Sequence, residues 1–342
     1  MNILLTSAGR RSYLVGYFRD ALEGEGRVIA ANSVRCPAFH AADEYVLTPL
    51  IYDEEYIPFL LDYCCGKQID LLVPLFDIDI PVLAASKAGF EDIGTTVVVP
   101  SYEIARICND KWMTFEHLKG WGFKVPKTFI SLEQVREALA SGAIEYPLMV
   151  KPRWGMASIG VHVARDDDEL RVISAIVERE VDESYLRFES ESTRGRNVLY
   201  QEMLDGIEHG LDVMCDLSCS YIATSVKRKS AMRSGETDGA LTIDSPELEM
   251  LGARLAQACP HPGNMDVDVF ICADGAYVLE LNARFGGGYP FSHAAGVDLP
   301  RALVQWKSGG YVDPSLLKPS PGVYSYKEIE ICTVRMPESA GE

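Results

Sequence analysis

The sequence predicts an α/β protein, with a parallel Rossmann-like unit first and an α+β unit after it. Three observations predict this. Over roughly the first 105 residues, short apolar runs alternate with helical patterns. A new helix cap near Asn109 opens a second unit. Beyond it, apolar strands flank glycine-rich or polar turns.

The first unit begins with "NILLTSAG", a short buried strand ending in a glycine turn, and "RSYLVGYFRDALEGEG", a helix with a Gly-rich stop. "RVIAANS" is a second strand. "EEYIPFLLDYCC" is helical, "IDLLVPLFD" a third strand, "PVLAASKAGFEDIG" a helix and "TTVVVPS" another strand. The first turn invites a dinucleotide-binding interpretation and fails it. Gly9 stands alone before Arg10 and Arg11, with no GxGxxG. The sheet is therefore expected to be scaffold. Arg10 and Arg11 at a helix N-terminus could receive an anion, against the plain alternative of solvation.

The second unit opens with "NDKWMTFEHLKGWG", a helix with an Asn or Asp cap and a Gly stop. "VPKTFIS" and the helix "LEQVREALASG" follow. "YPLMVKPRWGMASIGVHVA" then has the form strand, small-residue loop, strand, with Lys151 at the base and Gly155, Ala157, Ser158 and Gly160 in the loop. Glycines let backbone N–H groups approach an anion and a lysine supplies charge, so this hairpin suits phosphates. It is not a Walker A loop, and an ordinary surface hairpin is the alternative. In "NVLYQEMLDGIEHGLDVMCD", two strands flank a polar link at Gln201, Glu202, Met203 and Leu204, with Glu208 beyond. Such a link can offer its edge to a base and a carboxylate to sugar hydroxyls; an acidic surface hairpin is the alternative. "SYIATSVKRKSAMRSGETDGA" reads as a strand and a loop rich in Lys227, Arg228, Lys229 and Arg233, a cationic lip in an acidic protein or a solvated loop.

"MDVDVFICADGAYVLELNARFGGG" carries the strongest signal. Two strands flank the turn "ADG", and pairing about it brings Asp268 near Glu280. Glu280 and Asn282 share a face because strand side chains alternate. An all-oxygen set of Asp268, Glu280 and Asn282 suits Mg²⁺ bridging nucleotide phosphates. Arg284 continues that face, placed for a phosphate or carboxylate.

Composition limits the alternatives. The chain has 342 residues, is 47% hydrophobic and carries a net charge of -18, so nucleic acid and anionic membranes are not expected as partners. The start lacks the basic segment of a signal peptide, and no run of about 18 apolar residues occurs. Nine cysteines without a CxxC pair and six dispersed histidines suggest no zinc site. Reduced thiols in the cytoplasm are the expectation.

In combination, Lys111, Lys151, the small-residue loop, "QEML", Glu208, Asp268 and Glu280-x-Asn282-x-Arg284 resemble the ATP-grasp superfamily. The nearest likeness is to the synthetase units of carbamoyl-phosphate synthase large chains and their stand-alone relatives. It covers nearly the whole chain, and the combination is specific where no single motif is. The resemblance implies a pre-ATP-grasp domain over 1–108, an N-terminal lobe with a phosphate-covering loop over 109–192, and a C-terminal lobe with the metal site over 193–342. It implies ATP phosphates on Lys111 and Lys151 under a closing 154–160 loop that includes Ser158. Adenine would lie at Gln201, Glu202, Met203 and Leu204, with the ribose on Glu208. Asp268, Glu280 and Asn282 would hold Mg²⁺ (or Mn²⁺), usually two ions. Arg284 would stabilise the transferred phosphoryl group, and Lys151 and Arg233 join it as catalytic candidates.

The implied activity is a carboxylate–amine ligase: ATP converts a carboxylate to an acyl phosphate and an amine displaces phosphate, leaving an amide. Two departures stand out. The chain has one synthetase unit and no glutaminase-type Cys/His arrangement, so carbamoyl phosphate synthesis is not expected. Gln201 stands where many relatives have an acid. A kinase, a carboxylate–thiol ligase and a silent nucleotide-binding protein are the other readings, and the complete metal set argues against the last. Amino-acid-like substrates are the first expectation. Look-alikes are commonly homodimers, though no feature here specifies one.

Overall fold

A computed structural model describes residues 1–155, 160–193, 195–329 and 331. The first of its three sheets is parallel, with β1 (Asn2–Thr6), β2 (Arg27–Asn32), β3 (Glu44–Leu47), β4 (Leu71–Pro74) and β5 (Thr96–Val97) in the order β3-β2-β1-β4-β5. Helices cover both faces, so the middle of the central strand is apolar, and Ile3, Leu4 and Leu5 are all fully buried. Helix α1 (Ser12–Leu22) buries Leu14, Val15, Phe18, Ala21 and Leu22 on one face. α2 (Ala38–Ala41), α3 (Tyr56–Lys67), α4 (Asp79–Ala85) and α5 (Lys87–Asp92) complete the unit. The sequence pattern misses β3, a short edge strand of alternating exposure, and merges α4 with α5, which break at Ser86.

The strand order reverses between β1 and β4, and ligands of such sheets bind at that crest. Here the crest is pinned from within. Buried Asp79 accepts hydrogen bonds from Thr6 Oγ1 (2.5 Å), Ser7 Oγ (3.0 Å) and Tyr56 Oη (2.6 Å).

Helices α6 (Tyr102–Asn109) and α7 (Lys111–Gly120) lead to a four-stranded sheet. Its strands β6 (Thr128–Phe129), β7 (Leu148–Pro152), β8 (His162–Ala164) and β9 (Val198–Glu202) run in the order β6-β9-β7-β8. Helices α8 (Leu132–Ala140) and α9 (Asp167–Glu183) share its apolar core, and α10 (Leu186–Ser190) follows. The small-residue hairpin forms as expected, with Val150 opposite His162.

The third sheet is antiparallel: β10 (Gly206–Cys215), β11 (Tyr221–Arg233), β12 (Glu236–Ile243), β13 (Gly263–Cys272), β14 (Gly275–Asn282) and β15 (Tyr324–Tyr326), ordered β14-β13-β10-β11-β12-β15. Helix α11 (Pro246–Ala258) packs on one face with Leu211, Val213, Met265 and Val267. Period-two alternation turns Gly210, Asp266 and Asp268 the other way, toward a cavity. Helices α12 (Tyr289–Ala294) and α13 (Leu299–Lys307) return to the first unit. Phe285 and Tyr289 enter its core, with the Phe285 and Phe18 rings edge to face at 5.9 Å.

One expectation is corrected and one alternative is set aside. The stretch Lys227–Arg233 is not a loop but the second half of β11, because its alternating residues find partners on β10 and β12. The segment 198–215 is not a hairpin. β9 pairs with β6 and β7, β10 pairs with β11 and β13, and the chain crosses between sheets over Met203–Asp205.

Candidate functional site

A cavity of about 480 Å³ lies between the small and large sheets, in the size range of small-molecule sites. Met149, Val161, Val163, Phe270 and Leu279 make one part of its wall apolar. The remainder is charged, and the strands position those charges.

Asp268 and Glu280 are direct cross-strand partners, as are Asp266 and Asn282. This register depends on a β-bulge. Near the turn, Cys272 pairs with Gly275 and Val269 with Val278; Leu279 is then the extra residue that lets Glu280 face Asp268. Without it, Glu280 would fall on the other face from Asp268. Leu279 and Glu280, though adjacent, both line the cavity.

Lysines occupy these carboxylates. Lys111 Nζ lies 3.0 Å from Glu280 Oε1 and also donates to the Gly155 carbonyl. Lys229 Nζ bridges Glu208 Oε1 and Asp268 Oδ1, both at 2.6 Å. Lys111 is set by the start of α7. The Asp110 side chain caps the helix by accepting from Trp112 N and Met113 N, and the Arg153 guanidinium grips the same carboxylate at 2.6–3.0 Å. Burial and crowding by Asp266, Glu208 and Glu280 push Asp268 up to about 6, against the pull of Lys229. Burial also acts on Glu280, but Lys111 and Lys151 outweigh it and hold that carboxyl low.

Lys151 is buried, and its Nζ donates to Gln201 Oε1 at 2.8 Å. The Gln201 amide donates in turn to Thr128 Oγ1 at 2.8 Å. Burial, helped by the charge of Lys111, lowers Lys151 to about 8, while Glu280 and Asp268 oppose the shift. The Gln201 side chain therefore tethers Lys151. The Glu202 carboxylate accepts from Lys127 N at 2.7 Å, and Met203 and Leu204 remain on the cavity wall.

Arg284 is buried between two carboxylates. Its Nε and Nη2 donate to Asp77 Oδ2 at 3.1 and 3.0 Å, and Nη1 donates to Asp266 Oδ2 at 2.9 Å. The next residues run against the same groups. A Cβ on Gly286 would stand 2.1 Å from the Asp266 carboxyl carbon, so no other residue fits there without displacement. Behind lies a buried network: Asp212 accepts from Lys227 and Ser292, and Asn264 Nδ2 donates to Asp212 and to the Arg284 carbonyl.

The cavity thus gathers Lys111, Lys151, Gln201, Glu202, Met203, Leu204, Glu208, Asp268, Glu280, Asn282 and Arg284. Arg233 lies apart from this group. Register irregularities around Ala231 turn Met232 to the cavity, while Arg233 pairs with Asp238 near the hairpin tip. Arg10 is exposed, and Arg11 lines the cavity instead. Ser158 lies outside the described residues, as does the middle of its loop. Sequence reasoning missed Asp77 and Asp266. The alternation "DVD" could have found Asp266, and its place at the sheet crest could have found Asp77.

Among the described residues, no three His, Cys, Asp or Glu side chains converge to hold a metal ion by themselves. The donor set still suits a hard cation that takes its other ligands from phosphate and water. Asp268 and Glu280 are cross-strand partners on the face that also carries Asn282, whose amide has no side-chain hydrogen bond among the described residues.

Comparison with known proteins identifies the family and the fold. Residues 3–98 match the family described as PylC-like, N-terminal domain, and residues 108–288, more than half of the chain, match the ATP-grasp domain. The carbamoyl phosphate synthase large chain of Mesorhizobium japonicum is 25% identical over 274 residues, covering 74% of this chain and 23% of that protein. Acetyl-CoA carboxylase 1 of Arabidopsis thaliana is 30% identical over 177 residues, covering 49% of this chain and 8% of that protein. The chain thus spans a quarter or less of the length of these curated relatives. The biotin carboxylase domain of Hydrogenobacter thermophilus 2-oxoglutarate carboxylase, solved as a dimer with MgADP, ADP and bicarbonate, superposes with a TM-score of 0.72 at 17% identity, over 94% of this chain and 73% of that one. An L-amino acid ligase from Bacillus licheniformis gives 0.64 at 18% identity, over 93% and 77%. At these identities the structures speak for the fold, and the family match over 108–288 settles membership. The chain belongs to the ATP-grasp family and carries a PylC-like N-terminal domain.

Proposed function

We propose that this ATP-grasp enzyme is an ATP-dependent carboxylate–amine ligase that forms an amide through an acyl phosphate. One observation supports this most: a single cavity joins two phosphate-type lysines, a paired-carboxylate and amide cluster, and an arginine anchored to the crest of the first sheet. In this reading Lys111 and Lys151 bind the nucleotide phosphates. The apolar wall and the link at Met203–Leu204 take the base, and Glu208 takes the ribose. Asp268, Glu280 and Asn282 hold Mg²⁺, which supplies charge neutralisation of the phosphates.

The remaining chemistry is positioning. Arg284, fixed by Asp77 and Asp266, holds the acid beside the γ-phosphate. A carboxylate oxygen attacks the γ-phosphorus and ADP leaves. The amine then attacks the acyl carbon, loses a proton, and inorganic phosphate departs. Lys229 is available to move from its two carboxylates to the transferred phosphoryl group. The eight free cysteines among the described residues suit a cytoplasmic setting. A homodimer is part of the proposal, because the biotin carboxylase relative is a dimer.

The test is Mg²⁺-dependent phosphate release from ATP against paired amino acids and amines, with mass spectrometry of the same wells. The expected result is release needing both partners, and a product lighter than their sum by one water. A stable phosphorylated product or a thioester would overturn the amide and leave an ATP-grasp enzyme of another reaction.

A further inference from the structure

Three consecutive glycines, Gly286–Gly288, have no side chains with which to hold themselves, yet Gly287 and Gly288 line the cavity together with Arg284. Their place must be set from the two ends of the stretch. Phe285 and Tyr289 pack into the core of the first unit. Apolar packing is non-directional and leaves the orientation of the backbone open, whereas hydrogen bonds fix it.

Hydrogen bonds from both ends lead to one carboxylate, that of Asp212 on β10. At the near end, Asn264 Nδ2 on β13 donates to the Arg284 carbonyl at 3.2 Å and to Asp212 Oδ1 at 3.1 Å. At the far end, Ser292 Oγ on α12 donates to Asp212 Oδ2. Lys227 Nζ on β11 donates to the same Oδ2 and, at 3.1 Å, to Ser292 Oγ; Ser225 Oγ lies 2.8 Å from Ser292 Oγ. Asp212, Ser225 and Ser292 are fully buried, and Lys227 and Asn264 nearly so. Of the five, Lys227 lines the cavity, and a Cβ on Gly288 would stand 3.7 Å from its Nζ. The other four lie behind it. A buried ion pair is weak evidence for stability, because apolar residues of similar volume often serve as well. What such a network adds is a fixed geometry.

We infer that Asp212 is a positioning residue of this site. Through Asn264 and Ser292 it fixes both ends of the glycine stretch, and so sets the seat beside Arg284 without touching what binds there. The inference rests on the reading of Arg284 as the residue that holds the acid or the phosphoryl group.

Calorimetric titration of inorganic phosphate into MgADP-saturated protein tests this, with MgADP affinity measured alongside. Phosphate should bind the unaltered protein, and Arg284→Lys should weaken it. Ser292→Ala and Asn264→Ala should each weaken phosphate about 5- to 10-fold and leave MgADP affinity unchanged. Ser292→Cys, a weaker donor of similar size, should fall between serine and alanine. Freeing one end already displaces the stretch, so the double variant should lose less than the product of the two single effects. Asp212→Asn tests the inference by sign. If Asp212 merely neutralised Lys227, its removal would free a cation at the cavity and phosphate would bind more tightly. Positioning requires that phosphate bind more weakly.

Tighter phosphate in Asp212→Asn overturns the inference. So do independent effects of the two ends, or equal losses of MgADP and phosphate. The two Ser292 variants change one neutral side chain, so the result does not hinge on whether Asp212→Asn folds. No phosphate binding to the unaltered protein, or binding that Arg284→Lys leaves alone, removes the seat and the inference with it. The ligase reading then stands or falls separately, on amide formation.

Discussion

Asp77 lies 207 positions before Arg284, yet its Oδ2 accepts from Arg284 Nε and Nη2 at 3.1 and 3.0 Å. This contact ties the crest of the first sheet to the end of β14. It makes the N-terminal unit part of the site, since the arginine is aimed by a residue outside the 108–288 ATP-grasp region. Asp77→Ala leaves the buried guanidinium with Asp266 alone. The expected cost is about 3–5 kcal/mol of stability, read by urea unfolding, together with a larger rise in KM for the acid than for ATP. An unchanged KM for the acid would confine Asp77 to a structural role.

Glu280→Gln keeps shape and removes charge at the centre of the carboxylate pair. Turnover should be lost while the far-ultraviolet dichroism and the melting transition stay near those of the parent. Near-normal turnover would remove Glu280 from the metal set.

Lys151→Ala should weaken nucleotide binding, read by calorimetry with MgADP, and should free Gln201 from its tether. The pH dependence has a definite sign. The folded pKa, about 8, lies below the ordinary lysine value of 10.5. The cost of a buried charge is therefore present below about pH 8, and this group's contribution to stability rises as pH climbs from about 8 to 10.5. MgADP affinity should run the other way and fall through the same range, because a neutral amine does not pair with phosphate. A flat affinity profile matching that of Lys151→Ala would contradict the phosphate role.

Gly286→Ala places a methyl group 2.1 Å from the Asp266 carboxyl carbon. Moving Asp266 releases one side of Arg284, so overpacking should cost about 1–3 kcal/mol and lower kcat. Gly288→Ala, whose methyl would meet Lys227 at 3.5 Å, should be milder. Equal effects in thermal melts and turnover would mean the close approach at Gly286 is not specific.

Much of the site was legible because it follows local rules. Alternation placed Glu280 and Asn282 on one face, and the glycine-rich hairpin announced itself through its small residues and Lys151. What escaped were irregularities. The bulge at Leu279 decides whether Glu280 meets Asp268, and the shifts around Ala231 exchange Arg233 for Met232 at the cavity. A bulge leaves no clear mark in a strand's pattern, so a side chain can change face unannounced. The Asp77–Arg284 and Asp110–Arg153 pairs were hidden for another reason: they join residues whose meeting is set by how whole sheets pack.

The most direct measurement of the central claim is the fate of a labelled oxygen. Once an acid and an amine that support turnover are found, the acid is supplied with ¹⁸O in both carboxylate positions, and the phosphate and product are weighed. Attack of the carboxylate on ATP followed by displacement predicts one ¹⁸O in each phosphate released and one retained in the amide. Unlabelled phosphate, with both labels still in the acid-derived product, would contradict an acyl phosphate and with it the proposed reaction.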